Sequence, residues 1–316
     1  MDNQLAVYAQ DSTTLALWHT ALDLDTSTVL SETTNTTYKR GMERFTRWCR
    51  DNQVEVVTPD VVRKWIRELR DSGAKPAAIN TWLAGVRHFY KYAFERGLCK
   101  INPTANIKGI KRTGANKRHS RTGLTNTEML RVLSQTDRKT LAGTRDYAML
   151  MLKAYTIIRD VELHRADLNS LATENGKLVL RVQIKGDTEA NVPKIIVNPD
   201  AQNALLEWLS VRGKKDGALF ISLSDRSYNE RLSLAAIRRI VKGYMIKAGV
   251  VDRNKTSHSV RHKATTNAIL NGASMPTVKG MGGWRSDDTV DIYYHNMNRM
   301  TDPGEKYIDY TRDNGS

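Results

Sequence analysis

The last third of the chain carries the side chains best suited to chemistry. His258 and Arg261 lie three residues apart, Trp284 follows, and two adjacent tyrosines, Tyr293 and Tyr294, come next. Arginine has a permanent charge and a planar set of N–H groups that matches phosphate oxygens, and imidazole transfers protons in general acid–base catalysis. A tyrosine hydroxyl, with an unperturbed pKa of about 10, is a poor nucleophile unless it loses its proton as it attacks. The set is therefore suited to a reaction in which a phenol oxygen attacks phosphorus.

Taken one at a time, these residues also have ordinary structural explanations. Arg159 could be a helix-end arginine paired with the acid three residues later, and Lys185 could be a turn lysine. His258 and His262 lie one helical turn apart, as in a zinc protease, but that pattern requires glutamate at position 259, which is serine here. Trp284 and the two tyrosines could simply pack in a core. One hypothesis that accounts for all of these residues is stronger than a separate explanation for each.

Five short motifs, in the right order and at matching spacing, resemble the tyrosine recombinase family, which includes phage integrases, the Xer recombinases and Cre. The motifs are Arg159-x-x-Glu162 followed by leucine, Lys185-Gly186 eight residues before Pro193, His258-x-x-Arg261, Gly283-Trp284, and Tyr293 nine residues after the tryptophan. The resemblance covers about residues 35–300. The Gly-Trp pair is most similar to that of Cre.

Two places depart from the usual family pattern. Ile157 and Ile158 stand where the family usually has Gly-Leu before the first arginine. Thr188 and Ala190 stand where a second lysine and an arginine usually follow the hairpin lysine.

The resemblance implies a role for each residue of the set. Arg159 and Arg261 would bind the non-bridging oxygens of a DNA phosphate, whose negative charge grows in the transition state. Tyr293 would be the nucleophile, and His258 would act as general acid and base beside it. Lys185 would protonate the leaving 5′-oxygen.

Supporting roles fall to neighbouring residues. Trp284 could donate its indole N–H to a phosphate oxygen, and Glu162, or alternatively Asp160, would orient the cations. His262 is a further supporting residue. Tyr294 is the alternative nucleophile, but the nine-residue spacing favours its neighbour, and adjacent residues of a helix point in different directions.

The implied function is site-specific recombination of duplex DNA through a 3′-phosphotyrosine intermediate and a Holliday junction, for integration, excision or resolution of a mobile element or replicon. The implied partners are double-stranded DNA with a specific site, a homotetramer on two such sites, and optionally an accessory DNA-bending or directionality protein. Because the phosphotyrosine preserves the bond energy and side chains supply the positive charge, we expect no ATP, metal ion or other cofactor. The alternatives are a telomere resolvase, a type IB topoisomerase, or a non-catalytic DNA-binding protein of the same fold.

Hydrophobic periodicity predicts a mainly α-helical chain with a small antiparallel β-sheet. The predicted divisions are an N-terminal extension (1–30), a helical DNA-binding domain (31–106), a basic linker (107–121), a catalytic domain (122–300) and a C-terminal tail (301–316) that could dock on a neighbouring subunit. The resemblance implies that the two domains form a C-shaped clamp on DNA.

Thr58-Pro59 predicts a helix start, Thr125 and Glu128 predict a capping box, and residues 177–184 with 192–197 predict a hairpin.

Composition favours a polyanionic partner. The 316 residues include 49 Lys and Arg against 34 Asp and Glu, for a net charge of +15, which indicates nucleic acid or a membrane surface. We expect the cations of the linker to contact the DNA backbone. These are Lys108, Lys111, Arg112, Lys117, Arg118 and Arg121.

Other sequence features point to a protein of the cell interior. Apolar runs stay shorter than the ~18 residues of a membrane span, and the N-terminus does not resemble a secretory signal. We therefore expect no membrane partner and a cytoplasmic, nucleoid-associated location, or the cytoplasm of an infected host cell. Cys49 and Cys99 are predicted to be buried thiols, as a reducing compartment favours.

Overall fold

A computed structural model describes residues 32–111, 123–183, 191–213 and 216–284, with four further positions, 286, 287, 291 and 293. These residues fall into two compact units, one before residue 120 and one from residue 120 onward. Within them, ten α-helices with described ends and one three-stranded antiparallel sheet are present. The predicted fold class, mainly α with a small antiparallel sheet, is confirmed.

Three α-helices form the first unit. They are α1 (Glu32–Asp51), α2 (Pro59–Asp71) and α3 (Pro76–Glu95). Helix α2 begins as predicted, because the Thr58 hydroxyl accepts a hydrogen bond from the backbone N–H of Val61 and proline occupies the first turn. Apolar residues at helical spacing, such as Phe45, Trp65 and Leu83, meet in one buried core.

The second unit contains seven helices and the sheet. The helices are α4 (Asn126–Ser134), α5 (Leu141–Thr156), α6 (Asp160–Arg165), α7 (Pro199–Arg212), α8 (Leu234–Lys247), α9 (Ser257–Leu270) and α10 (Met275–Gly282). Helix α5 is central, because it packs against α7, α9 and the third strand. The predicted capping box of α4 is confirmed: Thr125 Oγ1 accepts from the Glu128 N–H at 3.1 Å, and Glu128 Oε2 accepts from the Thr125 N–H at 2.8 Å.

The sheet has the order β1 (Leu171–Glu174), β2 (Lys177–Gln183), β3 (Asn191–Ile196), with both pairs antiparallel. In its register Leu180 lies opposite Lys194, and Leu178 lies opposite Ile196. The predicted β2–β3 hairpin is confirmed. Strand β1 was not predicted, since four residues are too short for alternation to stand out.

Helix α10 was also missed by the sequence analysis. Its start carries ordinary signals, because Ser274 Oγ accepts from the Thr277 N–H at 3.4 Å and a proline lies in the first turn. Farther on, Asp287, Asp291 and Tyr293 are helical.

Across the described part of the chain, none of the helices has both the length and the apolar character needed to span a bilayer.

Candidate active site

Arg159 lies at the start of α6 and is held there by Glu162. Its backbone N–H donates to Glu162 Oε2 at 2.8 Å, and its Nη1 donates to Glu162 Oε1 at 2.5 Å. Its Nη2 donates to the carbonyl oxygen of Gly283 at 3.1 Å. The Glu162 side chain is 1% exposed, whereas 26% of the Arg159 side chain remains exposed. One buried carboxylate therefore orients a guanidinium that solvent or a ligand can still reach.

Arg261 lies on α9 and is held by two backbone carbonyls. Its Nη1 donates to the carbonyl oxygen of Ile157, and its Nη2 donates to that of Gly282 at 2.8 Å. Burial, together with the positive charge of Arg159, lowers the pKa of Arg261 to about 10, while Glu162 opposes this shift. Arg261 therefore remains a cation at neutral pH.

The turns that end α5 and α10 supply these carbonyls, and each contains one residue in the left-handed α region. Gly283 ends α10 with φ 58° and ψ 46°, and Ile157 ends α5 with φ 54° and ψ 24°. Glycine adopts this conformation readily, but a β-branched side chain crowds the backbone there. Ile157 stands where the family usually has glycine, and its side chain is buried in the core. Burial of this side chain offsets the local strain.

Tyr293 lies beside His262 and Trp284. Its ring centroid is 4.9 Å from that of His262 and 6.2 Å from that of Trp284. The Trp284 ring centroid is in turn 4.5 Å from the guanidinium carbon of Arg261. Burial raises the pKa of the Tyr293 hydroxyl, and Arg261 partly opposes that shift. A phenol in this environment needs a base to take its proton as it attacks.

A cavity of about 190 Å³ brings His258 to the same surface as both arginines. Lys153, Asp160 and Arg238 also line it. The lining therefore carries several cations and one carboxylate, a balance that suits an anionic group.

Asp160 connects α6 to three other helices. Its Oδ1 accepts from Lys153 Nζ and, at 2.7 Å, from Ser257 Oγ, and its Oδ2 lies 3.5 Å from Arg238 Nε. Burial alone would raise the pKa of Asp160, but the Lys153 charge and these hydrogen bonds lower it below its usual value. Of the two acids considered for orienting the arginines, Glu162 contacts Arg159 and Asp160 contacts Lys153.

A second cavity, of about 550 Å³, adjoins the first, because Asp160, Arg238 and His258 line both. Arg239 and Lys242 of α8 add two more positive charges to its wall. These α8 cations were not among the residues predicted from the sequence. They could have been recognised as a basic stripe on a helix whose other face is apolar.

Part of the predicted set lies outside the described residues. This applies to Lys185, Gly186, Arg112, Lys117, Arg118, Arg121 and Tyr294, and to the two terminal segments 1–30 and 301–316.

Lys108 and Lys111 are described and exposed. Around them, Ile107 is buried in the core of the first unit, and Ile110 exchanges two hydrogen bonds with Asn80, at 2.8 and 2.9 Å. The predicted linker thus begins with residues that pack on the first unit.

Two fully buried lysines were missed by the sequence analysis. Lys153 interrupts the apolar run of α5, and Lys194 shares a face of β3 with the buried Ile196. Lys194 Nζ donates to the carbonyl oxygen of Met281 and lies 3.9 Å from Glu162 Oε2. A lysine on the apolar face of a strand is rare unless it is paired. Alternation along β3 could therefore have revealed it.

The family match covers most of the second unit. Residues 123–299 match the phage integrase family, and residues 21–97 match the N-terminal SAM-like domain of phage integrases. The chain belongs to the phage integrase family. Among its relatives, the tyrosine recombinase XerC of Haemophilus influenzae strain PittEE is 31% identical over 242 residues, which are 76% of this chain and 77% of XerC. The tyrosine recombinase XerD of Lacticaseibacillus casei is 25% identical over 284 residues, 87% of this chain and 92% of XerD.

Solved structures of a site-specific recombinase and of an integrase share the fold. The XerH site-specific recombinase in a post-cleavage complex with palindromic difH substrate has a TM-score of 0.70 at 19% identity, covering 86% of this chain and 78% of that one. A lambda integrase tetramer bound to a Holliday junction has a TM-score of 0.67 at 16% identity. The match covers 93% of this chain and 80% of that one.

These matches confirm the predicted family and the predicted activity. The chain is a site-specific DNA recombinase, an enzyme that breaks and rejoins DNA. The alternatives, a telomere resolvase, a topoisomerase or a non-catalytic binder, are not favoured.

Proposed function

We propose that this recombinase cuts a strand of duplex DNA with Tyr293 and holds the cut end as a 3′-phosphotyrosine. The observation that carries the proposal is the pairing of Arg159 and Arg261. Both line the cavity that contains His258, and each donates to a backbone carbonyl at the end of α10. Arg261 also lies against Trp284, which is next to Tyr293.

The two arginines would bind the non-bridging oxygens of the scissile phosphate. A guanidinium has five N–H donors, so the contacts of Arg159 and Arg261 with the protein leave donors for a phosphate. Because protein contacts already orient both groups, little reorganisation is needed when charge builds up in the transition state. The burial of Arg261 strengthens this electrostatic stabilisation.

The chemical step would exchange one phosphoester bond for another. The phenol oxygen of Tyr293 forms a bond to phosphorus as the bond from phosphorus to the 5′-oxygen breaks. His258 takes the phenol proton, and Lys185 gives a proton to the 5′-oxygen, as the family resemblance implies. In the rejoining step a 5′-hydroxyl attacks the phosphotyrosine, and the proton returns to Tyr293.

The wider setting of the reaction follows from the relatives. XerH is bound to its difH substrate, and lambda integrase is a tetramer on a Holliday junction. We propose that this chain likewise binds a specific duplex site, assembles as a homotetramer on two sites and exchanges strands through a Holliday junction. Since the relatives are bacterial, we place it in the cytoplasm with bacterial DNA. That the two domains form a C-shaped clamp on DNA, and that an accessory protein takes part, are still predictions.

A covalent-trapping experiment tests the nucleophile. The recognition site is first mapped by footprinting on DNA that flanks the gene, and a nick is then placed so that cleavage releases a short fragment and prevents rejoining. The wild-type protein should form a protein–DNA adduct that survives a denaturing gel. Tyr293→Phe should shift the same DNA on a native gel but form no adduct.

Tyr294→Phe is the matched control, and it should form the adduct as the wild type does. An adduct with Tyr293→Phe would show that Tyr293 is not the nucleophile, and loss of the adduct with Tyr294→Phe in the same experiment would assign that role to Tyr294.

A further inference from the structure

The last turn of α10 presents three carbonyl oxygens to three buried or half-buried cations. Lys194 donates to Met281, Arg261 donates to Gly282 at 2.8 Å, and Arg159 donates to Gly283 at 3.1 Å. The final carbonyls of a helix have no partner within the helix and carry the negative end of its dipole. Such a turn is therefore well suited to hold positive side chains.

We propose that Lys194 is a positioning residue of the recombination site, which holds the end of α10 so that its carbonyls orient Arg159 and Arg261. This inference rests on the proposed role of the two arginines as the phosphate-binding pair. Lys194 is not one of the residues to which the family resemblance assigns a role.

Lys194 closes a ring of polar contacts. Its Nζ lies 3.9 Å from Glu162 Oε2, and the other carboxylate oxygen of Glu162 lies 2.5 Å from Arg159 Nη1. Arg159 then donates to Gly283, two residues after the Met281 carbonyl that accepts from Lys194. A displacement of any one member must therefore move the others.

The burial of Lys194 makes this ring sensitive to its charge. The side chains of Lys194 and Glu162 are each 1% exposed, and an ammonium in such a place is stable only while it is paired and hydrogen-bonded. Loss of the proton removes the charge that attracts Glu162 and weakens the hydrogen bond to Met281. The carbonyl turn then loses one of its three cationic partners.

Burial, more than the charged groups around it, brings the pKa of Lys194 near the working range of an enzyme. Burial lowers the pKa of Lys194 to about 8, Glu162 opposes the shift, and Arg261 and Arg159 add to it. The charged form makes the contacts, so its contribution is complete well below this pKa and disappears as the pH rises through it. An anionic phosphate between the arginines would favour the ammonium and raise the pKa.

The test compares wild type, Lys194→Met and Lys194→Arg in adduct formation on the nicked site. Rates are measured at DNA concentrations far below saturation, from mildly acidic to alkaline pH, so that they report on the free enzyme. At neutral pH, Lys194→Met should form the adduct about 10–100-fold more slowly, because a small displacement of binding groups has effects of this size. Its DNA binding on native gels should change little.

The pH profiles separate positioning from simple structural support. The ratio of the Lys194→Met rate to the wild-type rate should rise above about pH 8, because the wild type loses the same contact there. Lys194→Arg keeps its charge at these pH values, so its rate relative to wild type should also rise in the alkaline range.

A matched control is Arg212→Met, which removes another buried cation that donates to backbone carbonyls, those of Ala218 and Asp216. It should lower the melting temperature but leave the adduct rate of the folded protein unchanged.

Each result has one meaning. If Lys194→Met matches wild type in rate, or is slower but has the same pH profile, the positioning role is wrong. If Lys194→Met does not fold, the Lys194→Arg profile decides on its own, and a profile equal to that of wild type would overturn the proposal. If the wild type itself forms no adduct, it is the proposed Tyr293 chemistry that fails.

Discussion

Two turns hold the paired arginines, and they reach the same backbone conformation with different residues. At the end of α10, Gly283 has a positive φ that glycine adopts without steric cost. At the end of α5, Ile157 has nearly the same φ, and its carbonyl accepts from Arg261. The left-handed conformation costs an L-residue with a side chain about 1–2 kcal/mol, whereas a buried isoleucine side chain contributes roughly 2–5 kcal/mol. Packing therefore outweighs backbone preference at Ile157.

The α10 turn has a second requirement that the α5 turn does not share. A Cβ added at Gly282 would overlap the Cζ3 and Cε3 atoms of the Trp284 ring. At Gly280, two residues earlier, an added Cβ would have no atom within 4 Å. The end of α10 therefore needs glycine at position 282 for space and at position 283 for conformation. Substitutions at three positions, 282, 283 and 157, test this difference, each with a control.

Gly282→Ala should have the greatest consequence. The new methyl group would displace the Trp284 ring, which lies between Arg261 and Tyr293, and we expect adduct formation to slow by roughly 100-fold. The rate is measured on the nicked site at a fixed amount of folded protein.

Gly280→Ala is the control for that change. It should leave the adduct rate unchanged and stabilise the helix by about 0.5–1 kcal/mol. Equal rates for the two alanine variants would mean that the Trp284 ring does not need its present position.

Gly283→Ala should have a smaller effect than Gly282→Ala, and the effect should be on stability. Alanine in the left-handed region should lower the free energy of unfolding by about 1–2 kcal/mol, measured by urea denaturation. Gly283→Asn should cost less, because asparagine tolerates this region better. Should alanine and asparagine destabilise equally, conformation would not be the reason for glycine here.

The smallest effect is a difference between two variants at Ile157. Both Ile157→Ala and Ile157→Gly lose the buried side chain, but only glycine is free of strain at this φ. We expect Ile157→Gly to be more stable than Ile157→Ala by about 1 kcal/mol, in urea denaturation.

Ile158 serves as the comparison site, since it is also fully buried and has no positive φ. There the usual order should hold, with the glycine variant less stable than the alanine variant by about 0.4–1 kcal/mol, because glycine leaves the unfolded chain more conformational freedom. The same order at both positions would remove the evidence for strain at Ile157.

Local signals explain why much of the fold could be predicted. The Thr58 cap, the box of Thr125 and Glu128, and the alternation of β2 and β3 each depend on residues a few positions apart. Strand β1 is too short for a periodic signal, and α10 is a two-turn helix with glycines at its end. Their existence depends on packing against the rest of the unit.

The candidate site shows the same difference between features that local sequence predicts and features that depend on tertiary contacts. Order and spacing were enough to select Arg159, Arg261, Trp284 and Tyr293, which the structure brings into one region. Their roles remain predictions. Lys194 was missed because its partners, Met281 and Glu162, are 87 and 32 residues away, and no short motif records such contacts.

By itself the sequence determined the types of the reactive groups, their spacing, the family they indicate and the caps that begin several helices. These depend on covalent order and on interactions within one or two turns of chain. Only the tertiary structure decided that Ile157 adopts a positive φ, that one helix end holds three cations, and that burial lowers the pKa of Lys194 to about 8. Burial and the proximity of atoms far apart in sequence create these properties, because desolvation and packing energies exist only once the chain has folded.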